Sequence, residues 1–204
     1  MIFDTIPVGQ IDTNCYLIGD EREGVCAVAD PGGSPERVLA MIEKSGLRLE
    51  KIFLTHGHWD HVGAVDALMA AVPAPGLALY LHPADTDKGD ARLFPPLSWG
   101  FNHFEDGELI SVGSLKVKVL HTPGHSAGSV TLLAEDVMLC GDTLFAGSCG
   151  RVDFLDGSER EMMKSLARLG RLEGDYKVCP GHGPLSTLER ERKGNPYMRH
   201  ALGL

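Results

Sequence analysis

Thr55-His56-Gly57-His58-Trp59-Asp60-His61 decides how this chain is read. Three imidazoles and a carboxylate fall within six positions, a pattern with few uses other than metal binding. Just before it, residues 51–55 (KIFLT) form the short apolar run expected of a buried strand. In extended backbone, residues two apart project to the same side. His56 and His58 can therefore bind one ion together, while Asp60 and His61, at the turn into a following helix, can face a second. Imidazole and carboxylate donors suit zinc first, with iron and manganese as alternatives. The competing reading is a solvated histidine loop.

Three further residues supply what that string lacks. His125 lies in His121-Thr122-Pro123-Gly124-His125-Ser126, just before an expected strand. Asp142 lies in Cys140-Gly141-Asp142-Thr143 and His182 in Pro180-Gly181-His182-Gly183, each just after one. Each stands beside glycine, so the backbone can turn sharply and approach closely. Singly, each reads as an ordinary surface or capped side chain. Their joint presence with residues 56–61 points to a metal centre.

Working outward, residues 2–8, 11–18 and 24–29 read as strands separated by Gly, Asp and Glu turns. Asp30-Pro31-Gly32-Gly33 is a turn. Ser34-Pro35 marks a helix start, with Ser34 as N-cap and proline at the first helical position. Val38, Leu39, Ile42 and Leu47 keep helical spacing, and Gly46 supplies a stop. A helix over 62–71, ended by Pro73, and a strand at 77–81 follow. Residues 85–104, with Pro95-Pro96, Trp99, Phe101 and His103, form an irregular loop of the kind that often lids a site. Strands at 115–120, 129–133 and 137–140, a helix over 159–172 and a strand at 177–179 complete the order. Adjacent strands interspersed with helices predict an α/β (α+β) fold of mixed sheets covered by helices.

The chain has 204 residues, 43% of them apolar and 23% charged, the balance of one globular domain, 1–204. Nineteen basic against 28 acidic residues give a net charge of −9, which argues against nucleic acid as a partner. Met1-Ile2-Phe3-Asp4 shows no basic, apolar leader pattern. The most apolar stretch, 62–81, is interrupted by Asp66, Pro73 and Pro75, so no membrane span is expected. Five cysteines (Cys15, Cys26, Cys140, Cys149 and Cys179) with no C-x-x-C pair suggest buried thiols in a reducing cytoplasm. Trp59 is expected to pack under its loop, and Trp99, Phe101 and His103 to pack on one another. His121 is read as a neighbour of the site, not a ligand.

With Asp30-Pro31-Gly32, T-H-x-H-x-D-H at 55–61, P-G-H-S at 123–126, G-D-T-L-F at 141–145 and P-G-H-G at 180–183 in this order, the chain resembles the metallo-β-lactamase superfamily. Within it, the chain is most similar to the short, single-domain glyoxalase II-like hydrolases. The resemblance covers nearly the whole chain. It implies a four-layer αββα sandwich with two metals at one edge. It implies His56, His58 and His125 on the first metal, Asp60, His61 and His182 on the second, and Asp142 bridging. An aspartate bridge, where classical β-lactamases place cysteine, leans away from β-lactam hydrolysis. Asp30 takes an orienting role behind a ligand. Arg151 matches the family's basic residue for a glutathione carboxylate, while a nearby family aromatic appears here as Asp153 and a family tyrosine as Pro184. Asn195-Pro196-Tyr197-Met198-Arg199 looks like a family element, but the C-terminal helical domain of full-length glyoxalase II is lacking.

Charge arithmetic gives the chemistry independently. Two divalent ions, two aspartates and one hydroxide leave about +1. Metal lowers the pKa of water from 15.7 to about 7, and the residual charge stabilises an oxyanion. Asp60 has a second role open to it, as proton acceptor. No other general acid is evident, and a thiol of pKa near 8.5 leaves without one, whereas an amine does not. Thioesters, glutathione-linked by the resemblance, are therefore the expected substrates. The alternatives are a mononuclear-iron persulfide dioxygenase, another superfamily hydrolase such as a lactonase or phosphodiesterase, and a vestigial site, against which the full set of seven ligand positions argues.

Overall fold

In the computed structural model, residues 1–72, 76–86 and 88–204 are described. The first sheet runs in chain order: β1 (Ile2–Val8), β2 (Thr13–Asp20), β3 (Val25–Ala29), β4 (Arg48–Phe53), β5 (Ala78–Leu81) and β6 (Asn102–His103). β1 to β3 pair antiparallel, and β3 to β6 pair parallel. The second sheet contains β7 (Leu109–Val112), β8 (Leu115–His121), β9 (Val130–Ala134) and β10 (Val137–Gly141), all antiparallel. A small hairpin, β11 (Leu144–Phe145) and β12 (Ser148–Cys149), leaves the sheet before β13 (Lys177–Pro180) returns parallel to β10 and β14 (Ser186–Thr187) closes the edge.

Period-two alternation explains why the two sheets stack. On β2, Cys15 and Leu17 face a cluster shared with helices, while Tyr16 and Ile18 face the opposite cluster with Val117, Val119, Val130 and Leu132 of the second sheet. On β10, Val137 and Leu139 face between the sheets, and Met138 and Cys140 face outward. Both faces of each sheet are therefore buried and need helical cover. α1 (Pro35–Ser45) and α3 (Val65–Ala71) cover the first sheet; α4 (Glu159–Gly170), α5 (Leu188–Gly194) and α6 (Pro196–Leu202) cover the second. The result is the expected αββα sandwich.

Local details depart from expectation. Ser34 does not cap α1: it sits at φ 49° and its hydroxyl accepts instead from the Gly9 amide at 3.3 Å. Gly46 does end α1, at φ 69°. The helix expected over 62–71 is two pieces, α2 (Trp59–Val62) and α3, because the Ala64 amide turns to the Pro31 carbonyl at 2.8 Å. Its predicted terminator Pro73, and Pro75, lie outside the described residues. Short β7, β14 and helices α5 and α6 were not expected. Among the described residues no helix is long and apolar enough to cross a membrane.

Candidate metal centre

The fold brings one end of several strands to a common edge. His56 and His58 follow β4, Asp142 follows β10, His182 follows β13, and His125 lies in the loop from β8 to β9. Thr55 ties the sheets together there, its carbonyl accepting from the Val130 amide at 2.8 Å. Asn14 and Tyr16 of β2 hold the loop of His182. The Asn14 amide donates to the Gly181 carbonyl at 2.7 Å, and the Tyr16 hydroxyl donates to the Pro180 carbonyl at 2.7 Å.

All seven predicted residues converge, and six of them are buried, with His182 half-buried. Three triplets have ligand atoms within 4.8 Å of one another: His56, His58 and His125; Asp60, His61 and His182; and His56, His61 and Asp142. Asp142 stands between the first two. Its Oδ1 lies 3.5 Å from His61 Nε2, and its Oδ2 lies 3.5 Å from His125 Nε2 and 3.8 Å from His182 Nε2.

The hydrogen-bond network assigns tautomers that leave nitrogens free for metal. His125 Nδ1 donates to the Arg151 carbonyl at 2.8 Å, which presents Nε2. The Thr55 hydroxyl donates to Asp30 Oδ2 at 2.7 Å, so it accepts from His56 Nδ1 at 3.2 Å and His56 presents Nε2. Asp30, at φ 51°, also accepts from the Thr55 amide at 2.7 Å and lies 3.0 Å from His61 Nδ1. His58 Nδ1 lies 2.9 Å from His125 Nε2, so these two nitrogens face one another at the three-histidine set, and His56 Nε2, His61 Nε2 and Asp142 Oδ1 are buried with no hydrogen-bond partner. Orphaned atoms of this kind cost about 1–3 kcal/mol each, and they cluster where a cation would satisfy all of them. The donor set therefore fits two metal ions.

Charge is arranged accordingly. Burial, reinforced by neighbouring imidazoles, pushes His56 well down and His58 to about 3, so both stay neutral as a ligand must. Burial opposes ionisation of Asp142, but His61, His125 and His182 overcome it and hold its carboxyl at about 2. Burial likewise opposes ionisation of Asp60, and the His182 contact at 3.0 Å draws it below its usual range.

Around the centre, Phe94 and Phe154 pack on His58 with ring centroids 4.7 and 5.0 Å away, making an apolar wall. Arg151 is exposed; its Nε and Nη2 donate to Asp153 at 2.6 and 2.7 Å, and its guanidinium covers Phe154 at 4.4 Å. Trp59 does not pack under its loop but is 37% exposed. Phe101 and His103 do meet, at 5.6 Å, while Trp99 stays exposed. His121 stacks on His82 at 4.2 Å, bonds to the Ala127 carbonyl and belongs to none of the three ligand triplets. Cys140 and Cys179 are buried; Cys149 is half-buried, because β12 lies on a loop outside the sheets. Residues 56–61 could not announce the role of Asp85, a buried carboxylate that accepts from Gly57 and Ser126. Its partners are distant in sequence, so only the folded chain shows it.

The description of the metallo-beta-lactamase superfamily matches residues 8–182. The hydroxyacylglutathione hydrolase GloC of Haemophilus influenzae is 32% identical, covering 97% of this chain and 98% of that one. Among solved structures, the B3 metallo-beta-lactamase BLEG-1 superposes with a TM-score of 0.86 at 32% identity, covering 97% and 99% of the two chains. TTHA1623 in a di-iron-bound form gives 0.83 at 35%, covering 95% and 99%. ETHE1 from Myxococcus xanthus gives 0.82 at 30%, covering 96% and 84%. With its strand-end cluster of histidines and aspartates, the chain belongs to the metallo-β-lactamase superfamily.

Proposed function

We propose that this single-domain chain is a dinuclear metal hydrolase of thioesters, with His56, His58 and His125 on one ion, Asp60, His61 and His182 on the other, and Asp142 between them. The observation that carries this reading is the position of Asp142, whose two oxygens reach toward both triplets. Bound divalent ions supply a hydroxide nucleophile at neutral pH and Lewis acidity toward a carbonyl. The chain's own residues do the rest. Asp30 and Thr55 orient His56 and His61, and the Arg151 carbonyl orients His125. Phe94 and Phe154 shield the three-histidine side from water. Asp60 serves as ligand before base, since its Oδ2 lies 3.0 Å from His182 Nε2 and 3.4 Å from His61 Nε2, where one ion would meet all three. With no strong base or acid assigned, a leaving group stable as an anion is favoured, which a thiolate is and an amine is not.

The likeness to GloC supports a hydroxyacylglutathione as substrate, and the imidazole and carboxylate donors make zinc the expected metal. The di-iron form of TTHA1623 makes iron the competing metal, and one iron in place of two ions would favour the persulfide dioxygenase as the second reading. Arg151 is the candidate anchor for an anionic thiol carrier, in competition with Asp153. Five free thiols support a reducing, cytoplasmic setting. Release of thiol from S-lactoylglutathione by the metal-loaded protein tests the reading. Oxygen uptake with glutathione persulfide and no thiol release would replace it.

A further inference from the structure

A carboxylate outside the ligand set joins the two loops that carry three histidines. Asp85 ends the short 3₁₀ turn Pro83–Asp85 after β5, and it is 3% exposed. Its Oδ2 accepts from the Gly57 amide at 2.9 Å and from the Ser126 hydroxyl at 2.7 Å. Its Oδ1 accepts from the Gly128 amide at 2.6 Å. Gly57 lies between His56 and His58, and Ser126 follows His125. The loops are built around this group. A Cβ on Gly57 would come within 2.8 Å of the Asp85 carbonyl oxygen, and one on Gly128 would run into the Asp85 carboxylate.

Asp30 acts in a comparable way, but on different groups: it holds Thr55, and through its hydroxyl the His56 ring, and lies beside His61. Among the described residues, the donors to the Asp85 carboxylate are Gly57, Ser126 and Gly128, all in the loops of His56, His58 and His125. Every donor needs an acceptor, and neither amide can accept. Gly57 and Gly128 donate to different oxygens, so asparagine in either orientation would keep one acceptor and turn its NH2 against one of these two N–H groups. The site thus requires a carboxylate, not merely a polar side chain of that size.

We propose that Asp85 is a further positioning residue of the three-histidine set, holding the loops of His56, His58 and His125 in register and tuning the affinity of the ion bound there. The inference rests on the two-set reading above. Groups that orient ligands change metal affinity about 10–100-fold when removed, so the effect falls within reach of a titration.

The test is a cobalt titration of the metal-free full chain, read by visible absorbance and chelator competition, for wild type, D85N and S126A. Wild type is expected to take up two ions. D85N is expected to bind one ion as wild type does and the other more than about tenfold more weakly, the deficit belonging to the all-imidazole set. S126A, which removes one donor and keeps the carboxylate, should shift the same ion in the same direction by less. D20N, altered at the far end of β2, is the control for lowered stability and should leave the ratio of the two affinities unchanged. Unaltered affinities in D85N, or equal loss of both ions, would overturn the proposal. If D85N fails to fold, an unaltered ratio in S126A overturns it. One ion or none in wild type removes the two-set reading, and the inference with it.

Discussion

Asp142 Oδ1 lies 3.5 Å from His61 Nε2 while its Oδ2 lies 3.5 Å from His125 Nε2, so one carboxylate faces imidazoles of both candidate metal sets. Replacement of Asp142 by alanine should reduce metal uptake to at most one ion per chain. Turnover should fall by more than about a hundredfold, beyond what loss of an orienting group produces. Elemental analysis and a thiol-release assay on the same preparation check this. Full occupancy with retained activity would show that Asp142 does not bridge.

Gly181 precedes His182, and a Cβ there would overlap Asp142 Oδ1 and come within 2.6 Å of His61 Cε1. G181A should therefore fold but bind metal more weakly, as the two ligands are pushed from their places. Circular dichroism with metal analysis separates the effects. An unaltered metal content would mean that the loop yields freely.

Arg151 and Asp153 form a bidentate but exposed pair, a class worth at most about 1 kcal/mol. Under the proposed function, D153N should free the guanidinium and lower KM for a glutathione thioester by up to about fivefold, with little change for an uncharged carrier. Equal KM changes for both carriers would remove Arg151 as an anion anchor.

Asn195 N-caps α6 through the Tyr197 and Met198 amides, at 3.0 and 3.2 Å, and donates to the Ser148 carbonyl at 2.8 Å and to buried Glu191 at 2.9 Å. N195A loses the cap and leaves buried acceptors short of a donor. Urea unfolding of the metal-free chain should show a loss of about 2–4 kcal/mol. A loss below about 0.5 kcal/mol would show that the C-terminal helices do not brace the β11–β12 hairpin.

Ser114 donates to Asp20 through its hydroxyl at 2.5 Å and its amide at 2.7 Å, drawing the carboxyl from 3.8 to about 2. A depressed folded pKa stabilises the protein above the unfolded value, and the gain is lost as pH falls through the folded one. Unfolding of the metal-free wild type should thus become easier between about pH 4 and pH 2, and D20N should flatten that part of the curve. Identical curves for the two would contradict the assignment.

Much of the fold was legible because the strands bury both faces and read as continuous apolar runs, as in β3 and β10. The candidate ligands were legible because His56, His58, Asp60 and His61 share one segment, and the others sit beside glycines at strand ends. What escaped depended on tertiary partners. Ser34 has the chemistry of an N-cap, yet it turned to Gly9. Trp59 is apolar, yet α2 presents it outward. Asp85 and Asn14 look like ordinary loop and strand polars until the chain brings Gly57 and Gly181 against them. Arg151 carried a family role in sequence, whereas its contact with Asp153 is visible only in the folded chain.

The most direct test of the account is the metal content of the purified protein with matched activity. About two divalent ions per chain, with thiol released from S-lactoylglutathione in proportion to occupancy, is the predicted result. One iron per chain, with no thiol release and oxygen consumed in the presence of glutathione persulfide, would contradict it.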